Sequence, residues 1–445
     1  MTSQQVTEQV VKRCWAVGAD CGEQRHRLVM LNEHCERMTS LWVRNDPSEI
    51  REALLKLLLM LPPGANLEIV TEGVRSLGGA LTQVAISMGI LICQVNPKAL
   101  ESYRVLEGQP RKDDDRDAFL LAKMRINDME GCRVAVDASP EERMLSRLSR
   151  LHTQLTEDRK VTMGRLRSRL LELSPEVLGK EWQGPSYDSK GMRAVLQRWP
   201  GFDGLERARI STVERVLRAS TKRGSNCQGM AKALKDMAGN IALCPEERGV
   251  VKMELAILID QTATAEAALA DVDARMRAEV ERHPIGRKLL EMPGEGHFSA
   301  AVDVGEILPL VRNVPEGKAA TYAGITPLSR RSGKGGGPSK LARGVNKHAL
   351  RAQYLGAVSA RRVSAIDDAY YNKQLERHQG HPKPHVKANL ALARQRFKVK
   401  YKLMTTDDHY DKETLIASHL DRQRRAREQA GVADSSRSAR SAARA

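Results

Sequence analysis

The sequence predicts an α/β domain with a mixed sheet at its N-terminal side, followed by a mainly helical remainder. Between Cys14 and residue 129, short apolar runs of strand length alternate with amphipathic stretches. Beyond residue 139, leucine and methionine recur at three- and four-residue steps through two long segments, the second ending at Pro284. No Asp or Glu occurs between Glu316 and Asp367, which marks a third, basic region.

In order, "CWAVGAD" and "HRLVML" read as a strand hairpin around "CGEQR", with "LWV" a third strand. "DPSEIREALLKLLLML" opens on an aspartate cap and runs at helical spacing to the breaker "PPG". "NLEIVTEG" is a buried-type strand, "RSLGGALTQVAISMG" a helix, "ILICQVNP" another strand and "DDDRDAFLLAKMRI" a helix. This gives a domain over residues 12–130. Residues 139–283 form a helical connector of two long amphipathic helices, coiled-coil in character, around a smaller helical insertion at about 175–250. Residues 284–405 form a mainly α C-terminal domain. It opens on "LLEMPGEGHFSAAV", a helix-hairpin-helix-like element whose Gly294 and Gly296 allow backbone N–H groups to approach a phosphate. The Arg/Ser/Ala-rich tail at 420–445 is expected to be disordered.

Across 445 residues, 72 Lys and Arg against 55 Asp and Glu leave a formal charge of +17, which favours a nucleic-acid partner over an acidic small substrate. Aromatic residues are only 4%, against a protein that stacks many bases on ring platforms. The seven cysteines are scattered without a C-x-x-C pair, and no apolar run is long enough to span a bilayer, so a cytoplasmic protein with reduced thiols is expected.

Against that basic background, "DDDRD" gathers four aspartates. Asp20 and Glu72 each end an apolar strand, where a half-buried acid is costly without a compensating charge. Asp114 and Asp117, three apart, share one side of a helix. Four carboxylates in this order suit one or two divalent ions, because hard cations take oxygen ligands.

"GAD" in the first strand, "TEG" in the fourth, "VNP" after the fifth and then "RKDDDRDAFLLAKM" resemble the N-terminal DEDD domain of the IS110 family of insertion-sequence transposases. Downstream, "LLEMPGEGHFSAAV", "YAGITPLSRRSG" and "PSKLARGVNKHALRAQYL" resemble that family's C-terminal transposase domain. The resemblance spans roughly residues 14–130 and 285–360. It implies a RuvC-like, ribonuclease-H-type fold and a metal set of Asp20, Glu72, Asp114 and Asp117, with Mg²⁺ as the ion. The register of the third acid stays open among Asp113, Asp114 and Asp115; Asp114 is the choice, and the other two read as solvated first-turn acids.

The resemblance places Ser332 as the nucleophile that joins covalently to DNA. A serine hydroxyl needs help to ionise and positive charge to meet the transition state. Arg330, Arg331, Lys334, Lys340, Arg343 and Lys347 supply that charge or contact nucleic acid. Ser329, Ser339, Tyr322 and Tyr354 are rival nucleophiles. The expected function is therefore a DNA transposase or site-specific recombinase acting on donor and target DNA, with no membrane partner. A structured noncoding guide RNA and a homo-oligomer, dimer to tetramer, are implied by the same resemblance. A RuvC-type metal nuclease, a DNA invertase and a non-catalytic nucleic-acid-binding derivative are the alternatives.

Overall fold

The computed structural model describes residues 14–73, 76–108, 111–127, 132–135, 138–222, 224–241, 243–312, 314–328, 331–332, 335–336, 340–341 and 345–411. Its contacts divide the chain into two compact units. One comprises the described residues up to 140 with those of 307–350, the other those of 141–306 with those from 351 onward. The division cuts across the expected C-terminal domain, because the segment around Ser332 groups with the α/β sheet.

The first unit is built on a six-stranded mixed sheet of order β3-β2-β1-β4-β5-β6. Its strands are β1 (Cys14–Cys21), β2 (Arg25–Leu31), β3 (Arg37–Arg44), β4 (Asn66–Thr71), β5 (Leu91–Val95) and β6 (Cys132–Ala135). β1 to β3 form an antiparallel meander, β4 and β5 run parallel to β1, and β6 closes the edge antiparallel to β5. β6 lies just past the expected boundary at 130. Between the strands run α1 (Pro47–Leu59), α2 (Gly79–Ser87), α3 (Pro97–Leu106) and α4 (Asp114–Ile126). Asp46 caps α1 as its sequence indicates, accepting from the Ser48 and Glu49 amides at 3.0 and 3.1 Å. α3 lies beyond the sequence reading, although Asn96 caps it and Pro97 occupies its first turn.

Alternation along the strands divides two cores. Trp15, Val17 and Ala19 pack with the apolar side chains of α1 and α2, whereas Ala16, Val70, Cys93 and Val95 pack with those of α4. Gly18 faces α4 so closely that a Cβ there would stand 1.7 Å from the Ala118 carbonyl oxygen. Glycine in "GAD" and alanine in "DA" thus let β1 and α4 touch.

The second unit starts with α5 (Pro140–Leu173), continues through α6 (Lys190–Arg198), α7 (Ile210–Ser220) and α8 (Cys227–Gly239), and returns along α9 (Pro245–Arg282). Pairings between α5 and α9 establish the antiparallel sense, since partner numbers fall along one helix as they rise along the other. Arg159 meets Glu266 at 2.9 Å, Thr262 meets the Met163 sulfur at 3.9 Å, and Arg169 meets Glu254 at 2.8 Å. The insertion is a folded helical module. Met192, Val195, Phe202, Leu217 and Leu234 bury into one core with Leu166 and Leu170 of α5 and Leu255 of α9. Each such side chain contributes about 1.5–3 kcal/mol by leaving water.

Next come α10 (Pro284–Leu290), the hairpin Pro293–Gly296, α11 (His297–Val302), a π-helical turn (Asp303–Ile307), α12 (Leu308–Val311) and α13 (Glu316–Tyr322). Two-residue strands follow, β7 (Pro327–Leu328), β8 (Arg331–Ser332), β9 (Gly335–Gly336) and β10 (Lys340–Leu341), then α14 (Lys347–Val363), α15 (Ala365–Arg377) and α16 (Pro384–Thr405). In the hairpin, Gly294 has φ +73°, and a Cβ on it would lie 2.5 Å from the Ala360 backbone of α14. The close approach this glycine permits is to a helix; Gly296 has open space at the same position.

Beneath the hairpin lies a buried ionic network absent from the sequence reading. The Lys400 ammonium of α16 meets Glu295 at 2.7 Å and Asp303 at 2.8 Å. Arg396 meets Glu295 at 3.3 Å and Asp367 at 2.9 Å. Gln353 of α14 donates to Asp303 and accepts from Lys400. Burial would discharge Lys400, but the attraction of Asp303 and Glu295 holds its pKa above the ordinary lysine value.

Candidate active site at the strand ends

The parallel register of β1 and β4 pairs Gly18 with Val70 and Ala19 with Thr71. One residue further along each strand stand Asp20 and Glu72, side by side at the C-terminal ends. Both share the parity of Gly18 and Val70, so both lie on the α4 side of the sheet. On the opposite side the Cys21 thiol and the Thr71 hydroxyl meet at 3.4 Å and tie the two strand ends.

Helix α4 brings its first turn to the same place. Asp117 is buried with Ala118, the residue packed on Gly18. The electrostatics report the convergence. Burial first, and then the negative charges of Asp114, Asp117 and Glu72, push the Asp20 carboxyl up to about 6, with Lys112 pulling the other way. Burial and Asp117 also raise Glu72, against Lys112 and Arg104. All four predicted acids therefore act on one locality.

The "DDDRD" run resolves into distinct environments. Asp113 is the N-cap of α4, its carboxylate accepting from the Arg116 amide at 3.0 Å. Asp115 is half-buried and held by Arg27 and by Arg37, the latter at 2.8 Å. Burial acts to raise its pKa, but the two arginines outweigh it and hold the carboxyl below the usual range. The expectation of a merely solvated acid is corrected here, because a long-range pairing across to β2 and β3 fixes its direction. Asp114 is exposed in the first turn. Asp117 has a partner that sequence reasoning missed: Arg104 of α3 donates to both its oxygens, Nε to Oδ1 at 2.6 Å and Nη2 to Oδ2 at 3.1 Å. No motif marks it: Arg104 lies seven residues before the "RKDDDRD" run and on a separate helix.

The donor chemistry suits a divalent cation: four carboxylates, all oxygen, at least two of which resist ionising beside one another. Among the described residues, however, no three acid, His or Cys side chains stand close enough to hold an ion as they are placed. Asp117 instead is turned to Arg104.

Ser332 belongs to a separate feature of the same unit. β7 pairs with β10, Leu328 opposite Lys340, and inside that ladder β8 pairs with β9, Ser332 opposite Gly335. The serine is thus the last described residue of β8, opposite the first of β9. The base is pinned where Asn346 donates its amide to the Tyr322 carbonyl at 2.8 Å and its Nδ2 to the Tyr322 hydroxyl at 2.9 Å. Asn346 also caps α14 through the amides of His348 and Ala349. Tyr322 has a structural task there, and the Tyr354 hydroxyl accepts from Asn389 at 3.4 Å. Lys347 is exposed in the first turn of α14. Arg331 and Lys340 are placed only as strand backbone, while Arg330, Lys334, Arg343, Ser329, Ser339 and the 420–445 tail lie outside the described residues.

Comparison with known proteins agrees with this layout. Residues 17–175 match the DEDD transposase model of the IS110 type, and residues 286–372 match the transposase model of the IS116/IS110/IS902 family. The chain is 27% identical over 424 residues to a 42 kDa protein of insertion element IS900 from Mycobacterium paratuberculosis, covering 91% of this chain and 98% of that one. It is 24% identical over 405 residues to a 43.6 kDa protein of insertion element IS110 from Streptomyces coelicolor, covering 89% and 95%. The DEDD domain implies use of a divalent metal, and a transposase acts on DNA by cutting and rejoining it. Among the described residues no helix is long and apolar enough to cross a membrane. Two matched models in the expected order and relatives aligned over nearly their whole length place the chain in the IS110 family of transposases.

Proposed function

We propose that the chain is the recombinase of a mobile element, cutting and rejoining DNA through a covalent bond between Ser332 and a DNA strand. The observation that carries the reading is the convergence of Asp20, Glu72, Asp114 and Asp117 at the C-terminal ends of two adjacent parallel strands. These four residues would hold Mg²⁺, which when bound supplies Lewis-acid polarisation of the scissile phosphate. The RuvC-like, ribonuclease-H-type assignment of the sheet is what the family resemblance implies, and the mixed sheet is compatible with it.

In the cutting step the Ser332 Oγ attacks phosphorus and gives up its proton to a base. The bond from phosphorus to one strand's bridging oxygen breaks, and that oxygen leaves as a hydroxyl once protonated. Rejoining is the reverse with another strand's hydroxyl, so no external energy source is needed. Arg330 and Arg331 directly precede the serine and would meet the extra negative charge on the phosphate. Lys334, Lys340, Arg343 and Lys347 would dock the DNA backbone, with Gly296 open to a phosphate. A structured guide RNA and a dimer-to-tetramer assembly complete the proposal; the +17 charge suits both nucleic acids.

Ser332→Ala tests the reading directly. It should abolish both strand exchange and the covalent protein–DNA adduct while leaving DNA affinity within a few fold, because it removes one hydroxyl and no charge. An adduct mapped to Tyr322 or Tyr354, or full recombination by the variant, overturns the serine assignment. Metal-dependent cleavage without any adduct would instead identify a nuclease.

A further inference from the structure

We propose that Arg104 is a positioning residue: its guanidinium holds Asp117 while the acid group is metal-free, and binding of a divalent cation draws Asp117 away from it. The inference rests on the metal reading of Asp20, Glu72, Asp114 and Asp117 above.

Geometry carries it. Asp117 is 3% exposed and Arg104 is 13% exposed, and the guanidinium takes both carboxylate oxygens through the Nε and Nη2 fork. A bidentate fork of this kind fixes a carboxylate's plane as a point charge would not. A carboxylate sealed from water and left without a positive neighbour would be strongly disfavoured, so the metal-free chain needs a cation at this point. Arg104 is also near enough to Glu72 for its charge to favour that carboxylate's ionised form. The arginine is thus bonded to one of the four acids and within electrostatic reach of a second, where a dication would act. It offsets the charge of Asp117 in the ion's absence and repels the ion on its arrival. This accounts for four acids sharing one locality while no three are gathered as an ion would hold them. The helix that carries Arg104, α3, packs on α4, which carries Asp117, so the pairing joins two adjacent elements.

The test is Mn²⁺ binding to the full-length, metal-free protein, followed by electron paramagnetic resonance of the unbound ion, with thermal unfolding in parallel. Arg104→Gln should bind Mn²⁺ more tightly than wild type by roughly tenfold, the scale on which residues beyond the ligands tune metal sites. Its metal-free melting temperature should fall, and its upward shift with saturating Mn²⁺ should exceed that of wild type. Arg104→Lys keeps the charge without the fork and should fall between the two. Unchanged or weaker binding by Arg104→Gln overturns the proposal, as does weaker binding by Arg104→Lys if the glutamine variant does not fold. Asp20→Asn separates the two layers. If wild-type binding is lost in Asp20→Asn but unaffected by Arg104→Gln, the metal reading stands and the role of Arg104 falls. If wild type binds no Mn²⁺, both fall.

Discussion

Two groups of acidic side chains, at the strand ends of the sheet and beneath the hairpin at 293–296, face the same physical problem and meet it differently. In the network around Lys400, every acid has a cation bonded to it: Glu295 and Asp303 on Lys400, Asp367 on Arg396. At the strand ends, among the described residues, Asp117 alone of the four acids has a bonded cation, Arg104, while Asp114, Asp117 and Glu72 act on Asp20 through space. A set whose charges are answered internally fastens structure. A set left in mutual repulsion keeps a place for a cation from outside. Gathered acids alone therefore do not mark a metal site; under the function proposed above, it is the lack of bonded cations that suits the strand-end set to an ion.

The largest effect should come from breaking the closed set. Lys400→Met leaves Glu295 and Asp303 buried beside an apolar side chain, and removing one partner of a buried ion pair typically costs about 3–5 kcal/mol. Chemical denaturation should show this as a lower midpoint with an unchanged slope. A loss below 1 kcal/mol would mean that water enters the network, and the contrast with the strand-end acids would lose its basis.

The open set should respond in the opposite direction. Asp20→Asn removes one of the repelling charges, so the metal-free variant should be more stable than wild type at neutral pH. The upward shift to about 6 would correspond to roughly 3 kcal/mol if the group were fully sealed, and screening at this partly open position reduces the expected gain to about 1 kcal/mol. The same variant should lose DNA cleavage and the stabilisation that Mg²⁺ gives wild type. A variant both less stable and still active would remove Asp20 from the site.

Much of the strand-end site was legible in the sequence because its determinants are local. A glycine two residues before Asp20, a strand ending at Glu72 and an alanine after Asp117 each leave a short-range mark, and their packing follows from strand parity and helix spacing. What escaped was pairing across long separations. Arg104 with Asp117, Arg27 with Asp115 and Lys400 with Asp303 depend on which elements the fold lays together, and a surface-type residue such as Lys400 looks the same in sequence whether solvated or buried. A helical insertion at about 175–250 was legible; what was not is that its short helices share one core with α5 and α9, because that depends on which elements the fold lays together. Ser332 was singled out through motif resemblance alone, since a two-residue strand carries no periodicity to read.

The smallest effect expected is at Asp115, and it sharpens the comparison within a single run of aspartates. Asp115 is answered by Arg27 and Arg37 like an acid of the closed set, whereas Asp114, its neighbour, belongs to the open one. Because the arginines hold Asp115 below the ordinary carboxylate value of 3.8, the folded chain keeps this group ionised at pH values where the unfolded chain protonates it. Its stabilising contribution is thus fully present above 3.8 and disappears as pH falls through the lowered folded value. Asp115→Asn should therefore cost up to about 1 kcal/mol at neutral pH, the range for a partly exposed pair, and the difference from wild type should close in acid. Metal-dependent cleavage should survive, since Asp115 is turned toward β2 and β3. Asp114→Asn should show the reverse pattern, with little change in metal-free stability and a loss of cleavage. If the two variants exchange behaviours, Asp115 is the third acid of the set, and the arginines at Asp115 play the part assigned here to Arg104.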